Sequence, residues 1–104
     1  MRASFNAKVF PNENGSGMHV HQSLKRISDG TNAFSTDEDT ESGISHLAES
    51  YAEGILRYSS SLMALTNQHP NSFDRLVPGF EAPVVPVMGV RNRSVFVKVS
   101  NHVL

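Results

Sequence analysis

The sequence predicts an α+β fold, with antiparallel sheet strands and one main amphipathic helix. Three observations carry that expectation. Residues 5–10 place apolar side chains at 5, 7 and 9, the period of a strand with one covered face, and residues 94–99 are a short run rich in Val and Phe. Ile44, Leu47, Ala48, Tyr51, Ile55, Tyr58 and Leu62 recur every three or four residues, the period of a helix with one apolar stripe. Segments bearing glycine and proline separate these runs and suit loops.

Taken in order, Phe5 to Phe10 reads as the first strand and Pro11 to Gly17 as a polar loop. The stretch from Met18 to Leu24 reads as a second strand. His19 and His21 share one of its faces and make that face polar, as expected of a strand lining a cleft. Asp29-Gly30 suits a tight turn between hairpin arms at 25–27 and 31–34. Residues 35–43 are acidic and small, a solvated loop. The helix follows, with Ser42 as its expected cap and Gly54 lowering its propensity. Its stripe reads as core. His69-Pro70 ends the helical region, because the residue before a proline is pushed out of helical dihedrals. Pro78, Gly79, Pro83 and Pro86 make 75–87 a stiff irregular segment, unsuited to a central strand. A basic turn and the strand Ser94–Val99 close the series.

Composition narrows the function. The chain has 104 residues, nine basic against ten acidic side chains, and a formal charge of -1. Such a balance gives no general attraction to nucleic acid or anionic membranes, so any recognition of anions must be local. Cysteine is absent, which excludes disulfides and thiolate metal sites. The sequence holds no long apolar run, and its first residues carry no cationic-then-apolar leader. The expectation is a cytoplasmic protein without membrane or nucleic-acid partners. Strands near both ends would need partners for their backbone groups, so the chain reads as a piece of a larger α+β domain.

Several residues suit chemistry, each with an ordinary alternative. His19 is a candidate ligand for Mg²⁺ or Mn²⁺, or a plain hydrogen-bonded histidine. Asn14 to Gly17 is a candidate substrate loop with open N–H groups, or a simple turn. It lacks the terminal Gly-Lys-Ser/Thr of a nucleotide P-loop. Arg75, Arg91 and Arg93 offer rigid donor forks for carboxylate or phosphate, or only solubility. Glu81, between Phe80 and two prolines, suits a mobile acid–base lid or an exposed loop acid.

Three ordered motifs then weigh together. They are Asn14-Gly-Ser-Gly-Met-His-Val-His-Gln-Ser-Leu24, Asn71-Ser-Phe-Asp-Arg-Leu-Val-Pro-Gly-Phe-Glu-Ala-Pro83 and Arg91-Asn-Arg-Ser94. With Ala64-Leu-Thr-Asn67 between them, the chain from about Phe5 to Val99 resembles the glutamine synthetase family. The resemblance implies that residues 1–104 are a central segment of that family's catalytic domain, incomplete at both ends and inactive alone. It implies ATP-dependent joining of ammonia to L-glutamate through a γ-glutamyl phosphate, with ATP and Mg²⁺ or Mn²⁺. It also implies a homo-oligomer, a double-ring dodecamer with sites between subunits.

Residue by residue, the resemblance makes His19 the metal's imidazole ligand and His21 and Ser23 nucleotide contacts. Asn14 and Gly15 belong to the loop holding glutamate's amino-acid end, and Arg75 binds substrate carboxylate. Arg93 stabilises the phosphoryl group in transfer. Glu81 is the flap carboxylate that shields the intermediate and takes a proton from ammonium. Lys98 stands where the family usually has arginine, Ser100 where it has proline, and Asp74 where lysine is common. Phe73 and Phe80 stand for frequent tyrosines, and Gln68-His69 for the usual Pro-Thr. Two other readings stay open: a γ-glutamyl ligase using another amine, and a non-catalytic family member kept for structure or regulation.

Overall fold

The computed structural model describes residues 1, 3–35 and 43–100. It is α+β, but it differs from the expected architecture in sheet and helix alike. Two α-helices, α1 (His46–Arg57) and α2 (Ser59–Thr66), precede a 3-10 helix at Pro70–Arg75, strand β1 (Met88–Val90) and strand β2 (Val97–Val99).

The sheet is parallel, not antiparallel. Met88 faces Val97, Gly89 faces Lys98 and Val90 faces Val99. Parallel neighbours ordinarily need a long crossover. These strands are so short that residues 91–96 suffice to carry the chain back, since an extended residue spans about 3.3–3.6 Å. Arg91 makes the reversal with φ of 54°, and the Ser94 N–H donates to Asn92 Oδ1 at 2.9 Å inside the loop. The expected strand at 94–99 is thus shortened to its last residues, and its partner, Met88–Val90, lies just past the irregular segment 75–87, where no strand was expected. No strand forms at Phe5–Phe10 or at Met18–Leu24. Among the described residues, antiparallel pairing survives only as the isolated bridge between Lys25 and Asn32. There the Asp29-Gly30 turn is present, with Gly30 at φ 74° and the Arg26 N–H donating to Thr31 O at 2.9 Å.

The single expected helix is broken at Tyr58, whose dihedrals (φ -100°, ψ 13°) end α1 and begin α2. Ser59-Ser60-Ser61 follows at once. Serine side chains compete for nearby backbone groups and hold a helix poorly, so the axis gives way there although the apolar period continues to Leu62. The N-cap of α1 is Ser45, whose Oγ accepts from the Ala48 N–H at 3.2 Å and donates to the Ala33 carbonyl at 2.7 Å. The expected cap Ser42, with most of the acidic loop, lies outside the described residues.

The core is small. Among the described residues its buried apolar members are Ala33, Ala48, Ala52 and Ala82, joined by Ser59. The large members of the predicted stripe are not buried: Leu47 is 50% exposed and Tyr58 62%. The radius of gyration is 16.3 Å, against roughly 13 Å for a compact chain of this length. Alanines allow close approach of α1 to its neighbours but remove little apolar area from water.

α1 still organises what surrounds it. It packs on α2 and β2. Tyr51 meets Phe34 with ring centroids 5.2 Å apart, and its hydroxyl donates to Gln22 Oε1. The helix thereby holds the segment that carries His21 and Ser23.

Candidate functional site

Arg75 ends the 3-10 helix, whose start is set by Pro70 and by Ser72 Oγ accepting from the His69 N–H at 3.2 Å. From there its side chain crosses the glycine loop. A methyl built on Gly15 would stand 2.8 Å from Arg75 Cγ, and one on Gly17 would stand 2.4 Å from Cζ. Only glycine admits the guanidinium this closely. The loop is tied down by the Ser16 N–H donating to the Ala7 carbonyl at 2.8 Å. Arg75 Nε is buried and has no hydrogen-bond partner among the described residues.

The second pairing is made by the proline-rich segment. Val77-Pro78-Gly79-Phe80 closes as a turn, with the Phe80 N–H reaching the Val77 carbonyl at 3.4 Å and Gly79 at φ 87°. Proline and glycine occupy the two central positions whose dihedrals they favour. Glu81 follows in the left-handed region at φ 54°, where a side chain costs free energy and the surroundings must hold it. Ala82 is buried beside it. Glu81 Oε1 lies 3.5 Å from Arg93 Nη1, with both side chains largely exposed. An exposed pair of this length contributes about 0–1 kcal/mol to stability. Its significance is where it places a carboxylate.

Lys8 belongs to the same neighbourhood, although periodicity alone marked it only as the outward residue of a strand. Its ammonium stands 3.6 Å from the Phe80 ring centroid and donates to the Glu13 carbonyl at 2.5 Å. A sequence signal existed only in the coincidence of a cation shortly before the glycine loop and an aromatic before Glu81.

Two groups of predicted residues are therefore assembled, Arg75 with Gly15 and Gly17, and Glu81 with Arg93. His19, His21 and Ser23 are exposed, and no side-chain hydrogen bond or ion pair joins them to another described residue. Asn14 is exposed beside the Arg75 crossing. Open depressions lined by Phe10, Pro11, Asn12 and Glu13, and by Lys8, Val9, Pro11, Asp74 and Val77, contain none of the predicted site residues.

Mg²⁺ or Mn²⁺ takes several oxygen donors. Among the described residues no group of three His, Cys, Asp or Glu side chains is gathered. His19 offers one imidazole, so these residues by themselves do not make a cation site. No described helix is long and apolar enough to cross a membrane.

A guanidinium seated on a glycine loop, and a loop-borne carboxylate paired with an arginine, are groups whose chemistry suits small anions. Residues 1–103 match the family described as glutamine synthetase, catalytic domain. The chain belongs to that family. It is 44% identical over 97 residues to a glutamine synthetase of Vibrio alginolyticus and 50% identical over 97 residues to one of Streptomyces coelicolor. It is also 44% identical over 97 residues to a 3-hydroxylaminophenol mutase of Cupriavidus pinatubonensis. Each alignment covers 93% of this chain and 20% of the relative. The chain thus spans about a fifth of the length of these curated relatives.

Proposed function

We propose that this chain forms part of the active site of an ATP-dependent ligase that joins ammonia to L-glutamate. The observation that carries the reading is the seating of Arg75 on Gly15 and Gly17, with Glu81 paired to Arg93 on a second loop. The family membership supports the same chemistry.

In this reading ATP's terminal phosphoryl group passes to an oxygen of the substrate's side-chain carboxylate, and ADP leaves. The nitrogen of ammonia then attacks the acyl carbon, the C–O bond to phosphate breaks, and phosphate departs. Arg75 holds a substrate carboxylate through a fork already immobilised on the glycine loop, so little orientational freedom is lost on binding. Arg93 offers fixed positive charge to oxygens that gain negative charge during transfer. Ammonium has no lone pair to attack with until it loses a proton, and Glu81 accepts that proton. The left-handed turn carries Glu81 on a loop that also shields the acyl phosphate from water.

The roles expected of His19 towards a metal, and of His21 and Ser23 towards the nucleotide, belong to the same proposal. Their support is the resemblance and their exposed, unengaged side chains. Use of ATP with Mg²⁺ or Mn²⁺, and a dodecameric assembly, likewise form part of it.

The test is phosphate release by the whole gene product that carries this sequence, with ATP, Mg²⁺ or Mn²⁺, L-glutamate and ammonium. Release that depends on ammonium and is lost in Arg75→Ala and Glu81→Ala supports the reading. Because the mutase is 44% identical over 97 residues, as one of the synthetases is, the assay also offers other amines and 3-hydroxylaminophenol. Turnover of one of those alone, or of nothing, overturns glutamine synthesis.

A further inference from the structure

Lys8 touches both halves of the assembled site. Its single ammonium contacts the Phe80 ring at 3.6 Å and the Glu13 carbonyl at 2.5 Å. Glu13 lies in the loop leading to Gly15 and Gly17, and Phe80 immediately precedes Glu81. The residue before it, Ala7, accepts the Ser16 N–H, so the Ala7-Lys8 pair grips the glycine loop at two points and reaches the Glu81 loop at a third.

We propose that Lys8 is a positioning residue that latches the Glu81 loop to the glycine loop through this shared contact with Phe80 and Glu13. The inference rests on the ligase reading for its consequence in turnover, but not for the latch itself. No bond is made or broken by Lys8.

The chemistry favours a lysine here. An ammonium is a compact charge with three donors. One donor can serve a carbonyl while the charge faces the negative face of an aromatic ring. The Glu81 loop has need of such a tether. Its Val77–Phe80 turn is purely local, its Arg93 pair is exposed, and Glu81 itself sits at a dihedral that relaxes when its surroundings let go. Phe80 has no hydroxyl with which to form a hydrogen bond, so the ring face is what it offers. Removing the charge leaves the glycine loop seated on Arg75 and frees the Glu81 loop to open separately.

Hydrogen exchange of the peptide spanning residues 77–85, measured on the whole gene product, reads that opening directly. Lys8→Gln keeps an N–H donor and loses the cation. It is expected to speed exchange of this peptide about two- to five-fold, the equilibrium shift that one exposed cation–π contact carries. Lys8→Arg restores the slow rate. Phe80→Leu gives the same increase from the other partner, and Lys8→Gln adds nothing further in that background. Phe80→Leu also keeps the latch testable should Lys8→Gln fail to fold.

Unchanged exchange in Lys8→Gln, additive effects of the two changes, or acceleration spread evenly along the chain would overturn the latch. In turnover, Lys8→Gln should raise phosphate release without amine relative to release with it, and Lys8→Arg should reverse this. An unchanged ratio in an active enzyme removes the link to catalysis. Absence of turnover in the unmodified protein counts against the ligase reading, and the exchange experiment then decides the latch alone.

Discussion

Arg75 lies across Gly17 so closely that a methyl there would stand 2.4 Å from its Cζ and 2.5 Å from Nη1. At Gly15 the obstacle is different, since a methyl would meet the Ala7 carbonyl oxygen at 2.2 Å as well as the Arg75 stem at 2.8 Å. The guanidinium end of an arginine can swing aside, whereas a backbone carbonyl cannot without moving the chain.

The two alanine substitutions should therefore separate function from folding. Gly17→Ala is expected to displace the guanidinium and raise the KM for glutamate about ten-fold, the effect of losing roughly 1.4 kcal/mol of binding, with little change in melting temperature. Gly15→Ala is expected to cost about 1–3 kcal/mol of stability through overpacking. Steady-state kinetics and thermal melting of the whole gene product check both.

Glu81 combines a strained dihedral with a proposed proton-accepting role, so its variants should move stability and activity in opposite directions. Glu81→Gly relieves the φ of 54° and is expected to stabilise by about 1 kcal/mol. It abolishes ammonium-dependent turnover. Glu81→Gln keeps an oxygen for Arg93 and is expected to slow turnover about 10²- to 10⁴-fold, the usual contribution of a general base. Comparing melting temperatures with phosphate release tests the pair.

The Asp29 carboxyl is held below its ordinary value of 3.8 chiefly by the Thr31 N–H, then by the Thr31 hydroxyl, at 3.0 and 2.7 Å. Both donors favour the charged carboxylate. The stabilisation is therefore complete above 3.8 and is lost as pH falls through the lower folded value. The Thr31 amide resonance should report that loss in an acid titration, and Asp29→Asn should remove the pH dependence while keeping an acceptor for Thr31.

Ser45→Ala removes the cap of α1 and the donor to the Ala33 carbonyl together. The expected cost is about 1 kcal/mol for the cap, read as a loss of stability that Ser45→Asp, which keeps an acceptor for the Ala48 N–H, partly restores.

With four alanines as the buried apolar core among the described residues, the 104-residue chain on its own is expected to melt broadly and to bind a hydrophobic dye. Circular dichroism and dye fluorescence of the isolated chain measure this. A sharp transition without dye binding would contradict it.

Local features were legible where one or two residues dictate the backbone. The Asp29-Gly30 turn and the irregular course of the segment bearing Pro78, Gly79 and Pro83 follow from dihedrals that glycine and proline impose. The helix expected to end at His69-Pro70, by contrast, already ends at Thr66, and Pro70 opens a 3-10 helix. The helical stripe was legible as a period, but a period cannot see Ser59-Ser60-Ser61 loosening the axis at Tyr58. It also cannot tell a buried leucine from an exposed one. Phe5–Phe10 and Met18–Leu24 have strand-like patterns and no strand, because pairing depends on a partner that no local pattern specifies.

The amino-acid sequence by itself determined the candidate residues, their order and the family to which the chain belongs, since these reside in residue identity and spacing. Tertiary structure alone decided that the sheet is parallel, that Arg75 rides on Gly15 and Gly17, that Glu81 meets Arg93, and that Lys8 reaches Phe80. Each of these joins residues that are not neighbours along the chain, and such contacts are set by how loops close and pack in space rather than by the dihedral preferences of neighbours.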